Sequence, residues 1–319
     1  MDLRDAFFDR LYDLVKDDDN FYFLTADMWA FSLSKFKEKL GRRFINVGVA
    51  EQNMISVAAG LAKAGKKVCV YTITPFVTER CFEQIKIDLC CMNLPVTIIG
   101  IGAGLTFSND GPTHHSLNDI AIMRTLPNLT IYSPSGPVMN SYVAQKAYEN
   151  DGPTYIRLDK GDYSPLPEYD NFIFPEPNKD SVPFSLGICG PYGKPDVVIF
   201  STGTNMYDVI EAAEYLTHKE GVFTTYRDVF RIKPFNDKEA ARIISGSKRV
   251  VVVEEHSCIG GLGSIISELM VENNIYKPLK KISLPDEFCK KYGDRNWIRS
   301  EYGLDKDSII KSILSFVEK

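Results

Sequence analysis

The sequence predicts an α/β protein made of two three-layer domains with mostly parallel sheets. Three observations lead there. Short, nearly continuous apolar runs such as "KVCVYTI" (67–73) and "PVTIIGI" (95–101) read as strands buried on both faces. Longer segments with helical spacing stand between them, as crossovers between parallel strands require. A proline-dense, aperiodic stretch over 161–195 then interrupts the alternation, which restarts beyond it. A chain of 319 residues accommodates two domains of the usual size, roughly 100–200 residues each. The expected division is 1–165, a linker over 166–190, and 191–319.

Within the first domain, "NVGVAEQNMISVAAGLAKAG" (46–65) ends a strand and opens a helix rich in small residues. "TERCFEQIKIDLCCM" (78–92) has helical spacing throughout, as does "PVMNSYVAQKAYEN" (137–150), which Pro137 opens. "LTIYSP" (129–134) and "PTYIRLDK" (153–160) supply further strands. In the second domain "DVVIFST", "GVFTTYRDV", "RVVVVEE" and "KKISLPD" read as strands. Helices over 206–217, 237–245 and 261–272 alternate with them, and "DKDSIIKSILSFVE" closes the chain.

Composition narrows the function. A formal charge of −5 argues against nucleic acid as the main partner, because phosphate binding needs a basic face. No apolar run reaches the ~18 residues that span a bilayer. The start, "MDLRDAFFDR", lacks the apolar core of a signal peptide, so a cytoplasmic protein is expected. The seven cysteines are an odd count with no C-x-x-C pair and no zinc spacing, which reads as buried free thiols.

Two stretches carry candidate chemistry. In "FSNDGPTHHSLND" (107–119) two of the four histidines, His114 and His115, follow a turn that Gly111 and Pro112 enforce. In 46–65, Glu51 falls at a strand-to-helix junction, where a helix N-terminus favours a carboxylate. A surface cap is one reading of it. The apolar neighbours Val47, Val49, Met54, Val57 and Ala58 favour another, a buried carboxylate in need of a partner or a proton.

"NVGVAEQNMISVAAGLAKAG" resembles the start of the pyrimidine-binding domain in the transketolase group of thiamine-diphosphate enzymes. "DGPTHHSLNDIAIMRTLPNLTIYSP" is similar to that domain's substrate loop, and "VVVVEEHSCIGGLGSIISELM" to the family's carboxy-terminal domain. The resemblance runs over nearly the whole chain, in order. It implies a pyrimidine-binding domain over 1–165 and a transketolase carboxy-terminal domain over 191–319. It also implies that Glu51 hydrogen-bonds the aminopyrimidine of thiamine diphosphate. A carboxyl in apolar surroundings can share a proton with a weakly basic ring nitrogen, and the cofactor then supplies the carbanion chemistry. Phe76, or failing it Phe82, is the aromatic residue expected against that ring, with core packing as the alternative for Phe82.

Asp110 and His114 then correspond to the family's pair at the sugar hydroxyls, where a carboxylate and an imidazole suit proton removal and alkoxide stabilisation. His115 either joins the substrate pocket or scaffolds the loop. Arg4 and Lys160 stand where the family binds the sugar phosphate, with Arg157 competing for the second place and an ordinary salt bridge as the alternative for each. A lysine there keeps the charge but loses the bidentate fork. His256, before "GGLG", reads as a structural or interface residue. One departure concerns Gly102, where many transketolases carry a further histidine that donates to the substrate's terminal hydroxyl.

The family's G-D-G motif and its following asparagine, which hold a magnesium or calcium ion on the diphosphate, are absent from the sequence. The chain therefore resembles the carboxy-terminal half of a split transketolase. A separate amino-terminal subunit with the diphosphate-binding domain would complete an α2β2 assembly around a homodimeric core. The implied reaction is transfer of a two-carbon ketol unit from a ketose, phosphorylated by this reading, to an aldose. Three alternatives stay open: a deoxyxylulose-phosphate-synthase-like acyloin-forming enzyme, a 2-oxo-acid dehydrogenase β subunit, and a non-catalytic module on the same fold.

Overall fold

The computed structural model describes residues 1–169, 185–189 and 193–318. Among these residues twelve strands are numbered in chain order. Those of the first half are β1 (Phe21–Thr25), β2 (Phe44–Asn46), β3 (Lys67–Ile73), β4 (Val96–Ile101), β5 (Thr130–Tyr132) and β6 (Thr154–Leu158). Those of the second are β7 (Ser185–Cys189), β8 (Val197–Ser201), β9 (Thr224–Asp228), β10 (Arg231–Lys233), β11 (Arg249–Ser257) and β12 (Leu279–Leu284). They form two sheets, β10-β5-β6-β4-β3-β1-β2 and β12-β11-β8-β9-β7. Every pairing within them is parallel except at one edge of each sheet, where β10 runs antiparallel to β5 and β7 to β9. The expected α/β class with mostly parallel sheets is what the chain adopts.

The apolar runs of the sequence are strands for a simple reason. In β8, Val197 and Ile199 face one core while Val198 and Phe200 face the other, and β11 alternates in the same way. Both faces are covered by helices, so both sets of side chains are apolar. Helices Leu3–Val15 and Pro137–Glu149 pack against each other over the first core. Helix Glu51–Lys63 lies over the second core, held by Met54, Ile55, Ala58 and Ala62.

Three features depart from the sequence reading. The segment 78–92 is not one helix. Helix Thr74–Thr78 ends in a turn, and a short helix at Phe82–Gln84 runs into a π-helical stretch, Ile85–Cys90. Its signature is the pair of long-step bonds Cys91 N to Lys86 O (2.9 Å) and Leu94 N to Leu89 O (3.0 Å). Secondly, β10 belongs by sequence to the second half yet adds to the edge of the first sheet. Thirdly, most of the expected linker over 166–190 lies outside the described residues, and its end, Ser185–Cys189, is the edge strand of the second sheet.

A buried cluster of charges joins the two halves. Asp159 follows β6, Glu255 lies in β11, and helix Arg295–Glu301 contributes two arginines. Arg295 donates to both oxygens of Asp159, at 3.0 and 2.8 Å, and through Nε to Glu255 at 3.0 Å. Arg299 donates to the other Glu255 oxygen at 2.5 Å. Burial alone would raise the carboxyl of Asp159, but Arg295 overrides it and holds the group down at about 2. For Glu255 burial acts in the same sense and loses to Arg295 and Arg299, so it too is lowered.

An Asp whose folded value lies below its unfolded one stabilises the fold above the unfolded value and loses that stabilisation on acidification. For Asp159 the window runs from its ordinary value of 3.8 down to about 2. The shift is worth about 2 kcal/mol. Thermal melts of the wild type should therefore fall in midpoint across that window, and Asp159→Asn should flatten this part of the profile. At neutral pH the variant should also be less stable than the wild type, because Arg295 and Arg299 are then left to share one buried carboxylate, Glu255. An acid limb of unchanged slope in the variant would show that Asp159 does not set it.

Candidate active site

Glu51 is the first residue of helix Glu51–Lys63 and is only 3% exposed. The approach to it is fixed from below. Asn46, ending β2, accepts from the backbone N–H groups of Asp27 and Gly48, both at 3.0 Å. Gly48 makes the turn with a φ of +74°, in the left-handed region. The carboxylate is met from the turn after helix Thr74–Thr78, where Arg80 Nη1 donates to Glu51 Oε2 at 2.7 Å.

From this pair a chain of contacts leads along one wall. The Arg80 guanidinium lies over the Phe76 ring, 4.3 Å from its centroid. The Phe76 ring meets His114 edge-on at 5.1 Å, and His114 meets Phe107 at 6.1 Å. Lys160 Nζ lies 4.2 Å from the centre of the Phe107 ring. Glu51, Phe76, His114 and Lys160 thus belong to one continuous surface. Arg80 and Phe107, which link them, were missed by the sequence reading.

The loop carrying Asp110 and His114 is closed on itself. Ser116 N bonds Gly104 O at 2.8 Å, and both His114 N and His115 N bond Gly111 O, at 2.9 and 3.1 Å. Gly111 has a φ of +74°, in the left-handed region that favours glycine. Asp110 is exposed, and His114 is half-buried with Nδ1 2.9 Å from Thr113 Oγ1. Arg4 is half-buried beside Asp2 and Asp5. Its link to the wall runs through Asp2, which accepts from the N–H of Gly161, next to Lys160, at 3.0 Å.

Three candidates receive other tasks. Arg157 is 3% exposed, with Nε held by Asp119 at 2.8 Å and Nη2 by the carbonyls of Ser116 and Glu255 at 3.0 and 3.1 Å. It braces the loop against the second half from a buried position, whereas Lys160 lies on the wall beside Phe107. Phe82 packs against the apolar core under helix Glu51–Lys63, which leaves Phe76 as the aromatic face. His115 is 4% exposed and turned away from His114, towards a cavity of about 340 Å³ that Glu79 and Asp286 also line. Burial pushes its imidazole below the ordinary value, which suits a neutral scaffold residue.

In the second half, β11 alternates its two glutamates. Glu255 faces the arginine cluster, whereas Glu254 caps helix Leu262–Glu272 by accepting from Leu262 N and Gly263 N at 2.7 and 2.8 Å. A Cβ at Gly261 would meet Glu254 Oε2 at 2.2 Å, which explains the second glycine of "GGLG". His256 is buried beside them, its Nδ1 2.9 Å from Ser257 O, as a structural residue would be.

Comparison with known proteins matches residues 1–165 to the transketolase pyrimidine-binding domain and residues 192–309 to the transketolase carboxy-terminal domain. The chain belongs to the transketolase family. It is 33% identical over 283 residues to one of the apulose-4-phosphate transketolase subunits of Actinobacillus succinogenes, covering 89% of this chain and 88% of that one. It is 34% identical over 288 residues to the 1-deoxy-D-xylulose-5-phosphate synthase of Halothermothrix orenii, of which the match covers only 43%. Among solved structures, a split-gene transketolase described as an inactive β4 tetramer superposes with a TM-score of 0.83 at 29% identity, over 100% of this chain and 98% of that one. The chain is also 33% identical over 324 residues to a "putative transketolase C-terminal section" of Methanocaldococcus jannaschii, covering 99% of this chain and 96% of that one, and the family implies thiamine diphosphate as cofactor.

The wall fits the aminopyrimidine end of that cofactor. A buried carboxylate beside an aromatic face suits a planar ring that carries N–H donors. The Arg80 guanidinium, itself planar and a donor, already occupies that arrangement.

Proposed function

We propose that this chain is the catalytic carboxy-terminal subunit of a two-chain transketolase, moving a two-carbon ketol unit from a phosphorylated ketose to an aldose. The observation that carries this reading is the continuous wall from Glu51 through Phe76 and His114 to Lys160. A buried carboxylate, an aromatic ring, an imidazole and a cation follow one another along it, which supports a cofactor contact, a proton-transfer group and a phosphate site in that order. An amino-terminal subunit with the diphosphate-binding domain supplies the rest of the site and most ligands of the magnesium or calcium ion. An α2β2 assembly around a homodimeric core, in the cytoplasm, is the form this reading favours.

When bound, thiamine diphosphate supplies the carbanion that cleaves and forms the carbon–carbon bond. Glu51 holds the aminopyrimidine by a hydrogen bond and shares its proton, while Phe76 fixes the plane of the ring. His114 and Asp110 receive the sugar hydroxyls beside the scissile bond, and His114 takes or returns the hydroxyl proton. Lys160, with Arg4 further out, attracts the phosphate as a point charge.

Phe107 supports a second reading, acyloin formation from a pyruvate-like donor. A Cβ at Gly102 would lie 2.2 Å from the Phe107 ring, and the φ of +99° there also disfavours any side chain. The position of the family's extra histidine is filled by an aromatic ring. The end of the donor therefore meets an apolar edge rather than a donor group, which costs a terminal hydroxyl its partner and suits a methyl group.

Glu51→Gln should fold normally and lose turnover by ~10²–10⁴-fold. Deuterium exchange at the thiazolium carbon, followed in the reconstituted complex, should slow in parallel; exchange at the wild-type rate would reduce Glu51 to a helix cap. Specificity constants for xylulose 5-phosphate, fructose 6-phosphate and pyruvate separate the two readings. Ketol transfer predicts that the wild type prefers the ketose phosphates and that Asp110→Ala lowers them more than pyruvate. A wild-type preference for pyruvate would favour the acyloin reading instead.

A further inference from the structure

Arg80 contacts both groups that the proposed function assigns to the cofactor ring, Glu51 and Phe76. It makes both contacts that the ring would make, donating to Glu51 Oε2 at 2.7 Å and stacking on Phe76 at 4.3 Å. Among the described residues no other side chain donates to the Glu51 carboxylate, which is 3% exposed. The Arg80 side chain is itself 41% exposed. Its backbone is anchored, because Gln52 Nε2 donates to Arg80 O at 3.0 Å. The residue therefore has a fixed base, a head in the site and a way out to water.

We propose that Arg80 is a displaceable cap on the cofactor contact, a proposal that rests on the transketolase reading above. A buried carboxylate is costly without a partner, and Arg80 meets that cost while the ring is absent. A guanidinium does this better than an ammonium, since it is planar, stacks on aromatic faces and is weakly hydrated. Two planar groups cannot share one face of Phe76. The aminopyrimidine must take over the Glu51 bond and the Phe76 face together, and Arg80 swings into solvent. The exchange keeps Glu51 partnered in both states. Its consequence is that the cofactor binds only the uncapped fraction, so its apparent affinity is reduced by that fraction.

The test is calorimetric titration of thiamine diphosphate with magnesium into the reconstituted two-subunit complex, for the wild type, Arg80→Ala and Arg80→Lys. If the cap is closed about nine-tenths of the time, Arg80→Ala should bind about tenfold tighter than wild type. Arg80→Lys keeps the charge but not the planar fork, and should fall between the two. The lysine variant alone decides the matter should the alanine variant fail to fold. A wild-type complex that binds and variants that bind equally or more weakly would overturn the cap while leaving the transketolase reading intact. A wild-type complex that does not bind the cofactor would overturn that reading itself.

Discussion

Arg295, held between Asp159 and Glu255, is the interaction on which the geometry of the site depends. It is 13% exposed and pairs with two buried carboxylates from different halves of the chain, so separating the halves would strip a buried carboxylate of its partner. The same Glu255 reaches into the loop that carries Asp110 and His114, accepting from Leu105 N at 2.5 Å. Gly104 beside it has no room for a Cβ, which would lie 2.5 Å from Glu255 Oε1. The shape of the loop that carries Asp110 and His114 is thus set partly by a residue of the carboxy-terminal half. That half contributes no candidate catalytic group, yet it fixes where such groups stand. Arg157 adds a second brace, tying the loop at Ser116 to the carbonyl of Glu255.

Much of the fold was legible because buried parallel strands write their burial directly into sequence. The runs at 67–73, 95–101 and 249–255 are strands with nearly those bounds, since both faces of each are apolar. Helix Asp237–Ser245 coincides to the residue with the expected one. Failures came where the deciding contact is tertiary or the element too short for a period. Three residues at Arg231–Lys233 have no pattern that could announce pairing with the far sheet. Over the six residues Ile85–Cys90 apolar spacing does not separate an α-helix from a π-helical stretch, and the turn at Arg80 breaks what looks continuous in sequence.

The site divides in the same way. Glu51, Phe76 and His114, candidates because they sit in local motifs, are brought by the structure to one wall. Arg157, Phe82 and His115 sit close by in sequence, but alternation along β6, the helix face at Phe82 and the tight turn at Gly111 point them elsewhere. Arg80 and Phe107 escaped notice because their significance lies in contacts across the fold, Arg80 with Glu51 and Phe107 with His114 and Lys160. Arg295, in "YGDRNW", carried no signal at all, since its partners lie far away in the chain.

If this chain presents half of a cofactor site, as proposed, Glu51 and Phe76 grip one end of the cofactor while another subunit grips the other. A crystal structure of the chain with its amino-terminal partner and thiamine diphosphate measures this directly. The aminopyrimidine should lie within hydrogen-bond distance of Glu51, stacked on Phe76, with the diphosphate and its metal held by the partner. A cofactor bound wholly within one chain, or with Glu51 beyond hydrogen-bond reach of the ring, would contradict it.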